Sequence, residues 1–580
     1  MKWQLAPKIP DAERKKLSNY SDILAQLLYN RGINDADSAG KYLFAKETKL
    51  YNPYLLPDIK KAAAAILDAV KNHKKIVIYG DYDVDGISAS SILFDFLYRE
   101  LHADVVPYIP NRFDEGYGLS SIGLDALIKQ NADLIITVDC GIRDHDLVAE
   151  YVKKGLQFII TDHHEFAFDK NKKAVLPEKA LAMVHPGLPQ SKYPFKFICG
   201  TAVAWKLLLV IADLAGKAKL LTRKANPEKY LDLVALATVC DCMDLVDENR
   251  LLVKKGLEVM RNSANLGLVE LMQTAKITPG ELDTYQLGYL LGPRLNAAGR
   301  VEHALDGVRL LTANNRALIA SLAEKLQRLN ASRQELTKKM LMEAEAQIEL
   351  NQLGNKKLLF VYQEGWSEGV VGLVAGKISE KYHRPALAAS VSKQTIKGSA
   401  RSIPGFNITK ALAQTAEKLE RFGGHAAAAG FHLHQDNLAD FISAISEIAD
   451  QQVTEAMMVS QLFIDMEISP EDFTRELLVE IFQMRPFGIG NFEPTLLIRN
   501  LKVLNKQQVG KEKQHLKVLL KNPREMGNAL IDAIGFYLGE RADAVNPGEN
   551  IDVVGQIMLK EWNGKEYLQL KLKDFQSSDS

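Results

Sequence analysis

The sequence predicts an α/β chain of several domains: a parallel sheet near the N-terminus, a long connecting helix, a second α/β unit, and a C-terminal part made of short strands. Three patterns predict it. Between residues 74 and 165, near-continuous apolar runs alternate with segments of helical spacing, as in parallel sheets buried on both faces. Residues 313–352 hold no Gly or Pro and are rich in Ala, Leu, Glu, Lys and Gln, which suits one unbroken helix. Beyond 456, short strand-like runs are separated by turn signals such as NPREMGN, NPGEN and WNGKE, a spacing that fits a small barrel or sandwich.

In order, residues 1–50 read as a mostly helical lead-in, with SDILAQLLYNRG ending on a capping glycine. The first α/β domain is placed at 51–312. KKIVIYG, ADVVPYIP, ADLIITVDCG and LQFIITDHHE are its strands, and ISASSILFDFLYREL, SSIGLDALIKQ and LVAEYVKKG its helices. The connecting helix takes 313–352, the second α/β domain 353–455, and the strand-rich domain 456–580. A chain of 580 residues exceeds what one core organises.

Composition excludes some classes. Apolar content of 47% and charged content of 25% exclude a disordered chain or a fibre. Lys plus Arg and Asp plus Glu both number 72, so net charge says nothing about nucleic acid. The start has no apolar leader core, and no stretch approaches a membrane span. The four cysteines form no disulfide framework and read as reduced thiols in a cytoplasmic protein. Cys240 and Cys242 flank Asp241 at a spacing unlike a zinc site.

The chemistry concentrates in acids that follow apolar strands. Gly80-Asp81-Tyr82-Asp83-Val84-Asp85-Gly86 places three carboxylates at alternate positions, hard oxygen donors for Mg²⁺ or Mn²⁺. The same pattern opens a calcium loop, but the twelfth position there is Ile92 rather than an acid. Asp139-Cys140-Gly141 and Asp162-His163-His164 end two further strands. Three strand ends thus deliver five carboxylates and two imidazoles to the side of a parallel sheet where ligands bind. Packing does not account for such a set, because unpaired buried charge is strongly disfavoured; a pair of metal ions does. Asp241 and Asp244, at the end of DLVALATVCDCMDL, are both candidates on spacing.

The combination DYDVDG, VDCG, TDHH and TVCD resembles the DHH phosphoesterase superfamily. IPNRFDEGYGL, GPRLNAAGRV, EGWSEGVVGLVAGKISEKYHRPAL, GSARSIPGFNI, GGHAAAAGF and RPFGIGN, in that order over roughly 50–575, resemble the RecJ family of bacterial 5′→3′ exonucleases specific for single-stranded DNA. The resemblance implies a DHH catalytic domain at 51–312, a DHH-associated domain at 353–455 and an OB-fold barrel at 456–580. It implies two ions, Mn²⁺ or Mg²⁺: one on Asp83 and Asp139 with Asp81 close by, the other on Asp85, Asp139, Asp241 and His163. His164 would sit beside the scissile phosphate, and His164 and Asp81 would be the catalytic groups. It favours Asp241 over Asp244. Arg112, Ser399 and Arg401 would bind a 5′-phosphate, with Arg300 and His425 also on the substrate. Ser367 departs from the pattern, since relatives commonly have histidine there.

Two divalent ions can activate a shared water and stabilise both oxygens of an in-line displacement, so the expected products are 5′-mononucleotides. Residues 499–524 carry eight Lys or Arg (Arg499, Lys502, Lys506, Lys511, Lys513, Lys517, Lys521, Arg524) against one acid, Glu512, a local track for a single strand. Tyr537, Trp562 and Tyr567 are stacking or barrel-core candidates. Family resemblance implies work with a helicase and a single-strand-binding protein in recombination and repair, by a monomer, away from membranes. Two rivals are a DHH phosphodiesterase acting on short oligonucleotides or cyclic dinucleotides, and a non-catalytic DNA-binding replication scaffold.

Overall fold

The computed structural model describes residues 1–44, 49–112, 114–392, 394–523 and 530–578. It forms two compact units, Leu50–Ser460 and a second built from Met1–Lys49 with Gln461–Ser580. Strand β1 (Lys2–Leu5) belongs to the latter.

The larger unit opens on a five-stranded parallel sheet of β2 (Ile76–Gly80), β3 (Val105–Tyr108), β4 (Leu134–Val138), β5 (Gln157–Thr161) and β6 (Ala182–Val184), in the order β3-β2-β4-β5-β6. Every residue of β2 and β4 is buried, as the continuous apolar runs require when helices cover both faces. The order reverses between β2 and β4. That switch point opens a crevice at the carboxyl ends of the strands, where Asp81–Asp85 and Asp139 follow.

The connecting helix spans Arg316–Leu350, about 52 Å at 1.5 Å per residue. Asn315 caps it by accepting from the Leu318 N–H. Leu322, Leu326 and Leu329 pack into the core of the first sheet, while Met340, Ala344 and Ile348 pack into that of the second. One rod therefore belongs to two cores. The second sheet is mixed: β7 (Leu359–Glu364) and β8 (Ala386–Val391) are parallel, and β9 (Thr395–Arg401), β10 (Arg421–His425) and β11 (Ala428–His434) complete the order β10-β11-β9-β8-β7.

In the other unit, β1 pairs in parallel with β12 (Gln461–Ile464). Then come β13 (Met466–Glu467), β14 (Leu496–Val509), β15 (His515–Lys521), β16 (Leu530–Gly535), β17 (Asn550–Trp562) and β18 (Lys565–Ser577). β14 also pairs with β17, so β14, β15, β16, β18 and β17 close on themselves, the five-stranded barrel of an OB-fold. Leu24, Leu27 and Leu28 of the N-terminal segment share its core with Leu496, Leu516 and Val553. Closure leaves the barrel without a free edge.

The basic track falls on β14 and β15. Arg499 is paired with Glu467 at 2.9 Å and Asp552 at 2.8 Å, and Lys517 with Asp532 at 3.4 Å. Tyr537 and Tyr567 point to solvent rather than into the core. Arg524 and the Trp562 ring lie outside the described residues. No helix is long and apolar enough to cross a membrane among the described residues.

Candidate active site

The acidic loop is shaped by a tight exit from β2. Asp83 caps the helix Val84–Arg99, accepting from the N–H groups of Asp85 at 2.9 Å and Gly86 at 3.1 Å. A Cβ on Gly86 would lie 2.4 Å from the Asp81 carbonyl oxygen, so only glycine lets the loop fold back on the helix. Asn296 clamps the far side, accepting from the Val84 N–H at 3.0 Å. Asp85 is held by a second helix, Gly200–Lys217: the Gly200 and Thr201 N–H groups donate to its two carboxylate oxygens at 2.6 and 2.7 Å. That places an anion on the positive end of a helix.

Asp139 follows β4 with φ +62, a left-handed conformation that is uncommon and strained outside glycine. The turn aims its carboxylate back over the sheet, buried against Gly200, where an added Cβ would sit 2.6 Å from Asp139 Oδ1. After β5, Asp162 organises the third strand end. Its Oδ2 accepts from the Ile142 N–H at 3.0 Å, and its Oδ1 from the N–H groups of His163 at 2.7 Å and His164 at 3.1 Å. His164 Nδ1 lies 2.8 Å from the same oxygen. Burial pulls His164 down, but the Asp162 hydrogen bond and charge outweigh it and hold the imidazole up to about 9. Burial likewise raises Asp162, and the two neighbouring histidines overcome that, keeping it ionised well below the carboxylate range.

Four segments converge. His163 Nε2 lies 3.1 Å from Asp139 Oδ1, 3.5 Å from Asp241 Oδ2 and 3.7 Å from Asp85 Oδ2. Three sets of donor atoms lie within 4.8 Å of one another: Asp81, Asp83 and Asp139; Asp85, His163 and Asp241; and Asp139, His163 and His164. Asp244 is exposed and joins none of these sets among the described residues. Burial, then the neighbouring carboxylates, push Asp81, Asp139 and Asp241 well above the usual range and raise Asp83. Burial pulls His163 down to about 4, so its ring is neutral and its free nitrogen is an acceptor.

Divalent cations fit this donor set. Asp81 Oδ1, Asp139 Oδ1 and His163 Nε2 are buried and find no hydrogen-bond partner among the described residues, although buried polar atoms are nearly always paired. Adjacent donors on an octahedral ion with bonds of about 2.1 Å stand about 3 Å apart, close to the His163–Asp139 separation. Oxygen donors with one imidazole suit Mg²⁺ or Mn²⁺.

A cleft of about 250 Å³ opens on the cluster, lined by Asp81, Asp83 and His164 on the acidic part and by Arg112 and Arg300 on the basic part. The Arg112 guanidinium lies over the Tyr82 ring, 5.0 Å from its centre. Arg300 donates to the Gly369 carbonyl at 3.1 Å. Burial, then the charges of Arg112, Arg333 and Arg401, pull Arg300 down to about 10. Arg401 donates to Ser399 Oγ at 2.9 Å, and both sit on β9, paired with Ala428 and Gly430 of the glycine- and alanine-rich β11. His425 stands apart from the acids: half-exposed on β10, its Nδ1 is 3.5 Å from Glu165, one residue beyond His164. Ser367 precedes the turn that leads into the helix Val371–Tyr382, its carbonyl accepting from the Val370 and Val371 N–H groups.

Some participants escaped sequence reasoning. The Tyr117 hydroxyl lies 3.1 Å from His164 Nδ1 and 3.3 Å from Nε2; its motif was recognisable, its role was not. Buried His185 accepts from the Gly187 N–H at Nδ1, which leaves its Nε2–H to donate to the His164 carbonyl at 2.9 Å. Arg333 sits in a helix whose composition gives no hint of a site.

Three family models match the chain. The DHH family N-terminal domain matches residues 75–238, the DHHA1 domain 355–451, and the RecJ OB domain 464–574. The chain is 36% identical over 580 residues to the single-stranded-DNA-specific exonuclease RecJ of Bacillus subtilis, covering 99% of this chain and 70% of that one. It is 33% identical over 541 residues to the protein of the same name from Haemophilus influenzae, covering 90% and 91%. The crystal structure of RecJ in complex with Mn²⁺ from Thermus thermophilus matches with a TM-score of 0.82 at 26% identity, over 100% of this chain and 80% of that one. With three domain models in order and full-length likeness in sequence and fold, this chain belongs to the RecJ family.

Proposed function

We propose that the chain is a two-metal-ion exonuclease that degrades single-stranded DNA from the 5′ end and releases 5′-mononucleotides, in recombination and repair. The observation that carries this reading is one cleft in which a surplus of buried metal-donor atoms meets a crowd of guanidiniums. Asp83 and Asp139, with Asp81 nearby, would hold one ion; Asp85, Asp139, Asp241 and His163 would hold the other. When bound, Mn²⁺ or Mg²⁺ activates water and stabilises the attacking and leaving oxygens of an in-line displacement at phosphorus.

The chain's own groups position the substrate. His164, kept protonated by Asp162, would turn its Nε2–H, 3.3 Å from the Tyr117 hydroxyl, to a non-bridging oxygen of the scissile phosphate. Arg112, Arg300, Ser399 and Arg401 take the terminal 5′-phosphate, a dianion that bidentate guanidiniums match in shape and charge. Anchoring the end fixes which bond meets the acids, and so sets the product length. His425, whose Nδ1 is 3.5 Å from Glu165, contacts the strand beyond. The OB-fold, with Lys502, Lys511, Lys513 and Lys521 on or between β14 and β15 and Tyr537 and Tyr567 exposed, grips the single strand. The same proposal includes a helicase and a single-strand-binding protein as partners and a cytoplasmic monomer, on family grounds alone.

The relatives' shared name, single-stranded-DNA-specific exonuclease, supports the substrate class. The full donor set speaks against a scaffold, and the basic barrel strands against an enzyme for dinucleotides. The test is to incubate 5′- and 3′-labelled single-stranded and duplex DNA with Mn²⁺ or Mg²⁺. Early release of 5′-labelled mononucleotide from the single strand is expected. Shortening from the 3′ end, equal attack on the duplex, or faster cleavage of a dinucleotide than of a long strand would reject the reading.

A further inference from the structure

We propose that Glu115 is a positioning residue for recognition of the strand's 5′ end, because its carboxylate sets the course of the loop that carries Arg112. The inference rests on the nuclease reading and adds to it a residue that does not itself line the cleft.

The loop leaves β3 at Tyr108 and enters the helix Ser121–Lys129. On the way it presents the Arg112 guanidinium to the cleft, over the Tyr82 ring. Backbone groups of such a loop need partners, and here one side chain supplies them. Glu115 Oε1 accepts from the N–H of Asn111, the residue before Arg112, at 2.8 Å. In return, the Glu115 N–H donates to the Asn111 carbonyl at 2.8 Å. These two bonds close a ring that brackets Arg112. The same carboxylate accepts from the Tyr108 hydroxyl at 3.1 and 3.0 Å, and from the Ser120 hydroxyl. Ser120 Oγ accepts in turn from the Gly123 N–H at 2.9 Å and so caps the helix. A Cβ on Gly123 would stand 2.7 Å from Glu115 Oε2, so a glycine lets the helix begin against the acid. One carboxylate thus ties the end of a strand, the backbone before Arg112 and a helix cap together.

A loop that ordered itself only when the strand arrived would lose affinity for every group it had to fix. Glu115 fixes this one beforehand. The other half of the loop has its own anchor. The Gly118 carbonyl accepts from the Tyr79 hydroxyl at 3.2 Å, and the Leu119 N–H donates to Asp144 Oδ2 at 2.8 Å. That half carries Tyr117, 3.1 Å from His164 Nδ1. Glu115 therefore serves Arg112, and Asp144 serves Tyr117.

The test compares kcat and KM on 5′-phosphorylated and 5′-hydroxyl single strands in Mn²⁺, with thermal melts to confirm folding. E115A should cut the preference for the phosphorylated end about ten- to hundredfold, the scale of misplacing a binding group by about 1 Å. The loss should fall mostly on KM, with hydroxyl ends changed much less. E115D is one carbon too short to span its three donors; it should fall likewise, and it carries the test if E115A does not fold. E115Q should stay near wild type, since its carbonyl still accepts from Asn111 and both hydroxyls can turn to accept from its amide. R112A/E115A should be no worse than R112A, because Glu115 acts through that arginine. A preference unchanged in E115A, equal losses on both ends, losses that multiply in the double variant, or a preference lost as much in D144A would each overturn the role and leave the nuclease standing. A wild type that cleaves single strands without regard to the 5′ end, or does not cleave them, would sink the reading itself and the role with it.

Discussion

Asp162 Oδ1 stands 2.8 Å from His164 Nδ1 while also accepting the backbone N–H groups of His163 and His164. One carboxylate thus fixes both the turn and the charge of the imidazole it presents. His164→Ala should lower kcat about 10²- to 10³-fold, the usual loss for one donor to a developing anion. Asp162→Ala should lose a similar factor and some stability, since it strands three N–H groups. The double variant should be little worse than either alone, because the pair acts as a unit. Losses that multiply would show Asp162 working on something other than His164.

Asp139 combines a left-handed backbone with a carboxylate crowded by four others. Asn tolerates that backbone better than most residues and carries no charge. Asp139→Asn should therefore stabilise the metal-free protein, by about 1 kcal/mol or more, while abolishing turnover. Mn²⁺ should raise the melting temperature of wild type, by about 2.7 kcal/mol of stability at a hundredfold excess over Kd, and leave the variant nearly unmoved. Thermal melts with and without Mn²⁺ check both signs; a destabilised variant that still gains from Mn²⁺ would contradict them.

Arg401 donates to Ser399 Oγ at 2.9 Å, and burial, then the charge of Arg112, pull its pKa down. A phosphate dianion relieves that crowding. Arg401→Ala should reduce the preference for 5′-phosphorylated over 5′-hydroxyl ends about ten- to hundredfold in kcat/KM, the range of a charge-assisted hydrogen bond. Cleavage of 5′-hydroxyl strands should change much less. If both ends lose equally, the arginine serves the fold and not the end.

Much of this was legible because the decisive acids terminate apolar strands. β2, β4 and β5 announce themselves as buried runs, and Asp81, Asp139 and Asp162 come next in the chain. The OB-fold barrel was foreseeable from turn spacing and family motifs. What stayed hidden depends on contacts between distant segments. β1 has three exposed residues out of four and finds its partner at Gln461. β6 is only three residues long. Gly200 looks like any helix-start glycine until its backbone is seen against Asp139. His185 and Arg333 carry no pattern of their own, and Tyr117 has a motif without a legible role; only the folded chain brings them to His164 and Arg300.

Away from the cleft, Asp232 offers a test of the electrostatics. It is buried, held by Ser263 Oγ at 2.5 Å and the Leu233 N–H at 2.7 Å. Burial, only partly offset by those hydrogen bonds, raises its pKa from 3.8 to about 6. A raised carboxyl favours the protonated form in the folded state. Its contribution to stability is therefore complete below pH 4, and is lost as pH rises through about 6. The shift is about two units, or roughly 3 kcal/mol at 1.36 kcal/mol per unit. Asp232→Asn removes the titration, so the stability of wild type relative to the variant should fall by that order between pH 4 and pH 7. The metal-site acids titrate in both proteins and drop out of the difference. Urea unfolding at several pH values in chelator measures it, and a difference that is flat or rises with pH would mean that Asp232 is ionised in the folded protein.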